Sequence, residues 1–210
     1  MDKVNSIEKL NEEIFLWINT GFASPLMDGF MSFITVTGDA TVVTGFGLLL
    51  IWMWEQAPWR RERGRMTALF LVALAVGGGA MHAIKQNLPK DRPLAHFEER
   101  IRSGEVSVRA PFSQLRHRTF PSGHTQTAFG AAMFLSLAIR RPGAVIALFA
   151  WASLVGLSRV YTGVHFPMDI AGGAALGAGC AWMVHRFGGG PSLRRMTRQG
   201  ETGGANAAPA

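Results

Sequence analysis

An arginine, a histidine and an aspartate lie close together between Ser158 and Asp169, at the mouth of an otherwise apolar segment. Unpaired polar groups are costly in such a place and mark function by default. Arg159 offers the planar fork of donors that suits a phosphate oxygen pair, and His165 carries an imidazole able to attack phosphorus near neutral pH. Asp169 follows His165 by four residues, one helical turn, with Pro167 suited to the first helical position. A carboxylate there can hold the second imidazole nitrogen, fix the tautomer and stabilise the charge that forms on attack. Each residue alone has a plainer reading: Arg159 as an interfacial anchor, Asp169 as a first-turn helix charge.

Two further clusters change that balance. Lys85 to Pro93 carries Lys85 and Arg92, and Pro121-Ser122-Gly123-His124 opens another apolar run. Lys85, Arg92 and Arg159 together supply three cations for a group that brings two or more negative charges. Ser122 and Gly123 sit where a helix begins, so free backbone N–H groups and the positive helix end can join the same anion. His124 is then left to protonate the leaving oxygen. Asp91 and Asp169 are far apart in sequence and flanked by cations, so a cationic cradle and not a bound metal carries the electrostatic load, and no cofactor is expected.

The elements that must bring these clusters together are apolar. The chain of 210 residues is 48% hydrophobic and 17% charged, with a net charge of +7 and a mean hydropathy of +0.17. That size fits one domain, and its charges are gathered between apolar runs. The single cysteine, Cys180, excludes an intrachain disulfide and is read as packing. No cleavable signal peptide is evident in an N-terminus that opens with Asp2, Lys3, Glu8 and Lys9. Residues Leu10, Ile14, Trp17 and Ile18 have helical spacing opposite Asn11, Glu12 and Glu13, the pattern of an interfacial helix. Phe22 to Val36 is apolar but interrupted by Pro25 and Asp28. Five runs follow: Ala40 to Trp54, Met66 to Ile84, His124 to Ile139, Gly143 to Leu157 and Ile170 to Val184. Each is about 15 to 19 residues, slightly under the roughly 20 that cross hydrocarbon, so interfacial residues must complete the spans. Too little polar face remains to solvate a water-soluble bundle.

The expectation is therefore an all-α polytopic membrane bundle of five spans plus an N-terminal segment, 1–36, that is amphipathic or partly inserted. Residues 37–187 form the core and 188–210 a disordered tail rich in Gly, Ala, Arg and Pro. Gly173 and Gly177 offer close helix contact in the last run. Alternation puts the three clusters on one face, and the short arginine turns at Arg60 and Arg140 belong to the cytoplasm, so the reactive side faces outward. Tyr161, Thr162 and Gly163 shape the turn before His165. His82 and His96 read as bystanders, and His117 is balanced between solvated loop and headgroup contact.

Lys85 to Pro93, Pro121 to His124 and Ser158 to Asp169 resemble, at every position, the three signatures of the type 2 phosphatidic acid phosphatases. The resemblance spans roughly residues 66–186. It implies six membrane helices and a metal-independent lipid phosphatase with a phosphohistidine at His165, acid catalysis by His124 and phosphate binding by Lys85, Arg92, Ser122, Gly123 and Arg159. The N-terminal pattern is similar to the bacterial undecaprenyl diphosphate phosphatases, which implies that substrate and a place in the bacterial inner membrane. Phosphatidate, phosphatidylglycerol phosphate and lipid A phosphates are the alternatives. The expected partners are a lipid phosphate or diphosphate and the membrane lipids, with no nucleic acid. Two other classes stand beside this reading: a vanadate-dependent haloperoxidase, whose constellation is similar, and a non-enzymatic binder of anionic headgroups.

Overall fold

A computed structural model describes residues 2–53 and 60–189. All nine α-helices among them are joined by loops, the longest of which caps one end of the bundle. The helices are α1 (Asp2–Gly21), α2 (Pro25–Thr37), α3 (Ala40–Met53), α4 (Arg63–Asn87), the short α5 (Pro93–His96) and α6 (Glu98–Arg102), α7 (Gly123–Ile139), α8 (Pro142–Tyr161) and α9 (Pro167–Phe187). The five expected spans correspond to α3, α4, α7, α8 and α9, an integral membrane bundle.

Lipid gives apolar helices no reason to cluster, so close packing of small residues has to supply it. Helices α7 and α9 run in the same direction from the capped end and make the most extensive helix contact among the described residues. A Cβ on Gly177 would run into the carbonyl oxygen of Gln126, and one on Gly173 would crowd the Ser122 carbonyl, so the two backbones touch at these glycines. Around the pair, Phe70 of α4 tilts against Phe134 of α7 at 5.5 Å, with Val43, Ile51, Met66 and Ala181 buried beside them. Cys180 is buried in the same region, as packing.

Two helical stretches, Arg60–Asn87 and Pro142–Tyr161, are each long and apolar enough to cross a membrane by themselves. Helix α7 has only 17 residues, and most of its side chains are buried inside the protein. The interrupted stretch Phe22–Val36 forms α2: Ser24 caps it, accepting from the Met27 N–H, and Pro25 takes the first position. At Gly38 the chain bends by 66° into α3, so α2 and α3 together make one broken span or a re-entrant pair.

The arginine turns lie at the end away from the cap. Arg65 near the start of α4 donates to the carbonyl oxygen of Gly188 just beyond α9 at 2.9 Å, and also to that of Gly189. Gly188 and Gly189, assigned to the tail by composition, are thus tied to the bundle. The remainder of that tail, and the Trp54 to Trp59 membrane exit, lie outside the described residues.

Candidate active site

Four segments converge at the capped end. Lys85 sits in the last turn of α4, Arg92 precedes α5, Ser122 and His124 open α7, and Arg159 to Asp169 link α8 to α9. Lys85, Arg92, Arg159 and His124 lie close enough to feel one another's charge. The sequence clusters that topology placed on one face are thus gathered in one site.

The loop that holds Arg92 is zipped to a second loop before α7. Arg92 N–H donates to the Arg116 carbonyl at 2.8 Å and Thr119 N–H to that of Lys90 at 3.0 Å, around an isolated bridge between Asp91 and His117. The Arg92 guanidinium is buried and fixed by two carbonyls: its Nε donates to His117 O at 2.9 Å and its Nη1 to Val164 O at 3.0 Å. This leaves Nη1 also 3.4 Å from His165 Nε2. A cation so placed meets any oxygen of a phosphate that the imidazole attacks.

Arg159 donates from Nη1 to Thr35 Oγ1 at 2.7 Å, a tie from α8 across to α2. Its Nε is buried and carries no hydrogen bond, an orphaned donor of the kind an anion satisfies. At the start of α7, Ser122 gives no side-chain cap, so the N–H groups of the first turn stay available. Ser122 itself is more committed than its sequence position suggests. Its N–H donates to the Asp169 carbonyl at 3.0 Å and its Oγ accepts from Thr125 Oγ1 at 3.0 Å, so only the hydroxyl proton remains to give. His124 is half-buried, and Asp39 at the α2–α3 bend lies within electrostatic range of it.

His165 is buried at the end of a turn that requires glycine. Gly163 has φ +74°, and a Cβ there would meet the Arg109 carbonyl oxygen. The expected His165 and Asp169 pair is present, with Nδ1 3.4 Å from Oδ2. A third group, from the loop before α7, stands between them. Thr119 is fully buried, donates to Asp169 Oδ2 at 2.5 Å and has its Oγ1 3.1 Å from His165 Nδ1. A hydroxyl has one proton, and Thr119 gives it to the carboxylate, so it can only accept from the imidazole. The proton therefore sits on Nδ1, and Nε2 keeps its lone pair, facing Arg92. Asp169 Oδ2 also takes the Phe166 N–H at 2.8 Å, which locks the first turn of α9 to the same carboxylate.

Burial holds the His165 imidazole below its ordinary range, outweighing the nearby Asp169 carboxylate that works the other way. The neutral, nucleophilic form is thereby favoured. Of the other histidines, His96 bonds Glu12 at 2.8 Å, His117 bonds Asp91 at 2.7 Å and His82 bonds Gln86 at 2.9 Å, all outside the cradle. Beside the cradle lies a hollow of about 450 Å³ lined by Leu88, Pro89, Lys90, Phe120 and Met168.

Several known proteins are similar to this chain. The chain is 35% identical over 191 residues to the lipid A 4′-phosphatase of Bacteroides thetaiotaomicron, covering 87% of this chain and 78% of that one. It is 30% identical over 179 residues to YbjG of Escherichia coli, provisionally named an undecaprenyl-diphosphatase, covering 83% and 81%. The crystal structure of Aquifex aeolicus LpxE superposes with a TM-score of 0.70 at 28% identity, over 84% of this chain and 95% of that one. The sequence profile of the PAP2 superfamily matches residues 66–190, which hold every residue of the cradle and of the His165, Thr119 and Asp169 chain; the protein belongs to that superfamily.

Proposed function

We propose that the protein is a metal-independent lipid phosphatase of the bacterial inner membrane that works through a phosphohistidine at His165, with its site on the outer face. The observation that carries this reading is the polarised chain from Asp169 through Thr119 to His165 Nδ1, which leaves Nε2 as a free base beside Arg92.

In the first step Nε2 attacks phosphorus and the bond from phosphorus to the lipid oxygen breaks. His124 gives its proton to the departing oxygen. The positive charge that develops on the imidazole is shared along Thr119 and Asp169, and the charge on the equatorial oxygens is met by Lys85, Arg92, Arg159 and the α7 N-terminus. In the second step water attacks the phosphohistidine, His124 takes its proton, and inorganic phosphate leaves as Nε2 regains its lone pair. The arginine-rich turns at the opposite end favour that end for the cytoplasm, which supports the outward site.

For the substrate, a phosphate monoester on a lipid A type glycolipid is the leading reading, supported by the relative of 35% identity that covers most of the chain. Undecaprenyl diphosphate is the second, supported by the relative of 30% identity over a similar stretch. Phosphate release from lipid A, undecaprenyl diphosphate, phosphatidate and phosphatidylglycerol phosphate, in detergent with a chelator present, tests both readings. Release from one of these at undiminished rate is expected. Release from none, or loss on chelation, overturns the proposal.

A further inference from the structure

Helix α1 has two faces, and both are engaged with something other than phosphate. On its inner face Asn11, Phe15 and Asn19 are buried. Asn19 Nδ2 donates to the carbonyl oxygens of Tyr161 and Arg109, each at 2.8 Å, and its Oδ1 accepts the Arg109 N–H at 2.8 Å. Asn11 Oδ1 accepts the Met168 N–H at 3.0 Å. Phe15 packs on Phe166 at 5.1 Å and on Phe97 at 5.8 Å. Tyr161 and Met168 bracket the segment that carries His165, so one helix grips that segment at both ends and in the middle.

The outer face is an apolar stripe. Ile7, Leu10, Ile14 and Trp17 recur at helical spacing and are exposed, Leu10 by 55% and Trp17 by 63%. Phe22, edge-on to Trp17 at 4.7 Å, carries the stripe onward to exposed Leu26, Phe30 and Phe33 of α2. Those α2 residues are part of the surface that a membrane bundle shows to lipid, so the stripe continues an interface the fold already has. The charged pair Lys9 and Glu13 borders it on one side, and Glu12, farther round the helix, pairs with His96 and Arg100 of the cap. An apolar stripe with a tryptophan and charged borders lies in the headgroup boundary of a bilayer.

We propose that α1 is an interfacial strap. Its outer stripe docks in the lipid headgroup boundary on the face that carries the active site, and Asn19 and Asn11 are positioning residues that transmit this docking to the His165 turn. The second half of the proposal rests on the reading of His165 as nucleophile; the first half does not.

The full chain in phosphatidylcholine and phosphatidylglycerol vesicles gives the test. In a Cys180→Ala background, a polarity-sensitive fluorophore is placed at Leu10→Cys or at Glu13→Cys, and the vesicles contain lipids brominated near the top of the acyl chain. Severalfold stronger quenching at position 10 than at 13 is expected. Equal quenching by aqueous iodide at both positions overturns the docking. Self-quenching at position 10 that is relieved by unlabelled protein also overturns it, because the stripe is then a contact between copies. For the positioning half, Asn19→Ala is expected to lower kcat on p-nitrophenyl phosphate by roughly ten- to a hundredfold with KM within about twofold. An unchanged kcat overturns it. If the parent protein hydrolyses no phosphoester at all, the phosphatase reading fails while the vesicle experiment still decides the docking.

Discussion

Helices α7 and α9 meet backbone to backbone, whereas the arm formed by α2 and α3 reaches the bundle mainly through side chains and bends by 66° in the middle. Along α7 most side chains are buried, while α3 buries only Val43, Gly47 and Ile51. The two regions are both apolar, yet the site residues are divided unevenly between them. Ser122, Gly123, His124 and Asp169 stand on the tight pair, and the arm offers only Thr35 to Arg159 and the charge of Asp39 near His124. Catalytic geometry has to be held to within fractions of an ångström, and close-packed backbones provide that. Lipid-facing helices with few contacts can adapt to a substrate that arrives from the bilayer.

The comparison can be broken at several points. The largest effect is expected at the site: His165→Ala should lower phosphate release by about three orders of magnitude or more, since it removes the free base that Thr119 and Asp169 orient beside Arg92. A variant that kept most of its turnover would remove the nucleophile from the account. Next comes the seam. Gly177→Val drives a side chain into the Gln126 carbonyl and should destabilise the protein by about 3 kcal/mol or more, read as a lower melting temperature in detergent. Gly45→Ala on α3 meets nothing within 4 Å and should leave the melting temperature unchanged or slightly raised. Equal losses at both glycines would erase the distinction between the pair and the arm.

A smaller effect is expected at Thr119. Thr119→Val keeps the shape but leaves Asp169 and His165 Nδ1 without their shared hydroxyl, a loss of about 1–3 kcal/mol, or roughly 5- to 150-fold in kcat. Thr119→Ser should restore most of it. The smallest effect is a displacement of the pH profile. Burial lowers the His165 pKa, so the neutral nucleophile is fully present above the lowered value and is lost only as the pH falls through it. The acid limb of kcat/KM should therefore lie below the ordinary histidine value of about 6.5. An acid limb at or above that value would contradict the buried free-base assignment.

The parts of the site that the sequence made legible are those whose chemistry is intrinsic to the residue. Lys85, Arg92, His124, Arg159, His165 and Asp169 are costly in an apolar chain, and their spacing places them at helix ends on one face. Gly163 was legible for a related reason, as part of the turn before His165. Thr119 was not, because a threonine in a basic loop gains its role only when that loop closes over α9, 50 residues away in sequence. Its position two residues before Pro121 was the one available signal. Asn19 and Thr35 carry no such signal either, since their partners lie 142 and 124 residues distant. The fold followed the same rule: apolar runs revealed five helices, while the bend at Gly38 depends on where α8 allows the chain to pass. The Ser24-Pro25 cap starts α2, whereas in the sequence Pro25 and Asp28 read as interruptions of an apolar run. Asp28 accepts from Arg109 at 2.9 Å and from Tyr161 Oη at 2.6 Å, so its charge belongs to a contact and not to a break.

The central claim is that phosphate passes through His165 on its way to water. The stereochemical course at phosphorus tests it most directly, using a thiophosphate monoester made chiral with oxygen isotopes and hydrolysed in isotopically labelled water. Two in-line displacements, first by Nε2 and then by water, predict retention of configuration. Inversion would mean that water attacks the substrate directly, and would contradict the phosphohistidine route.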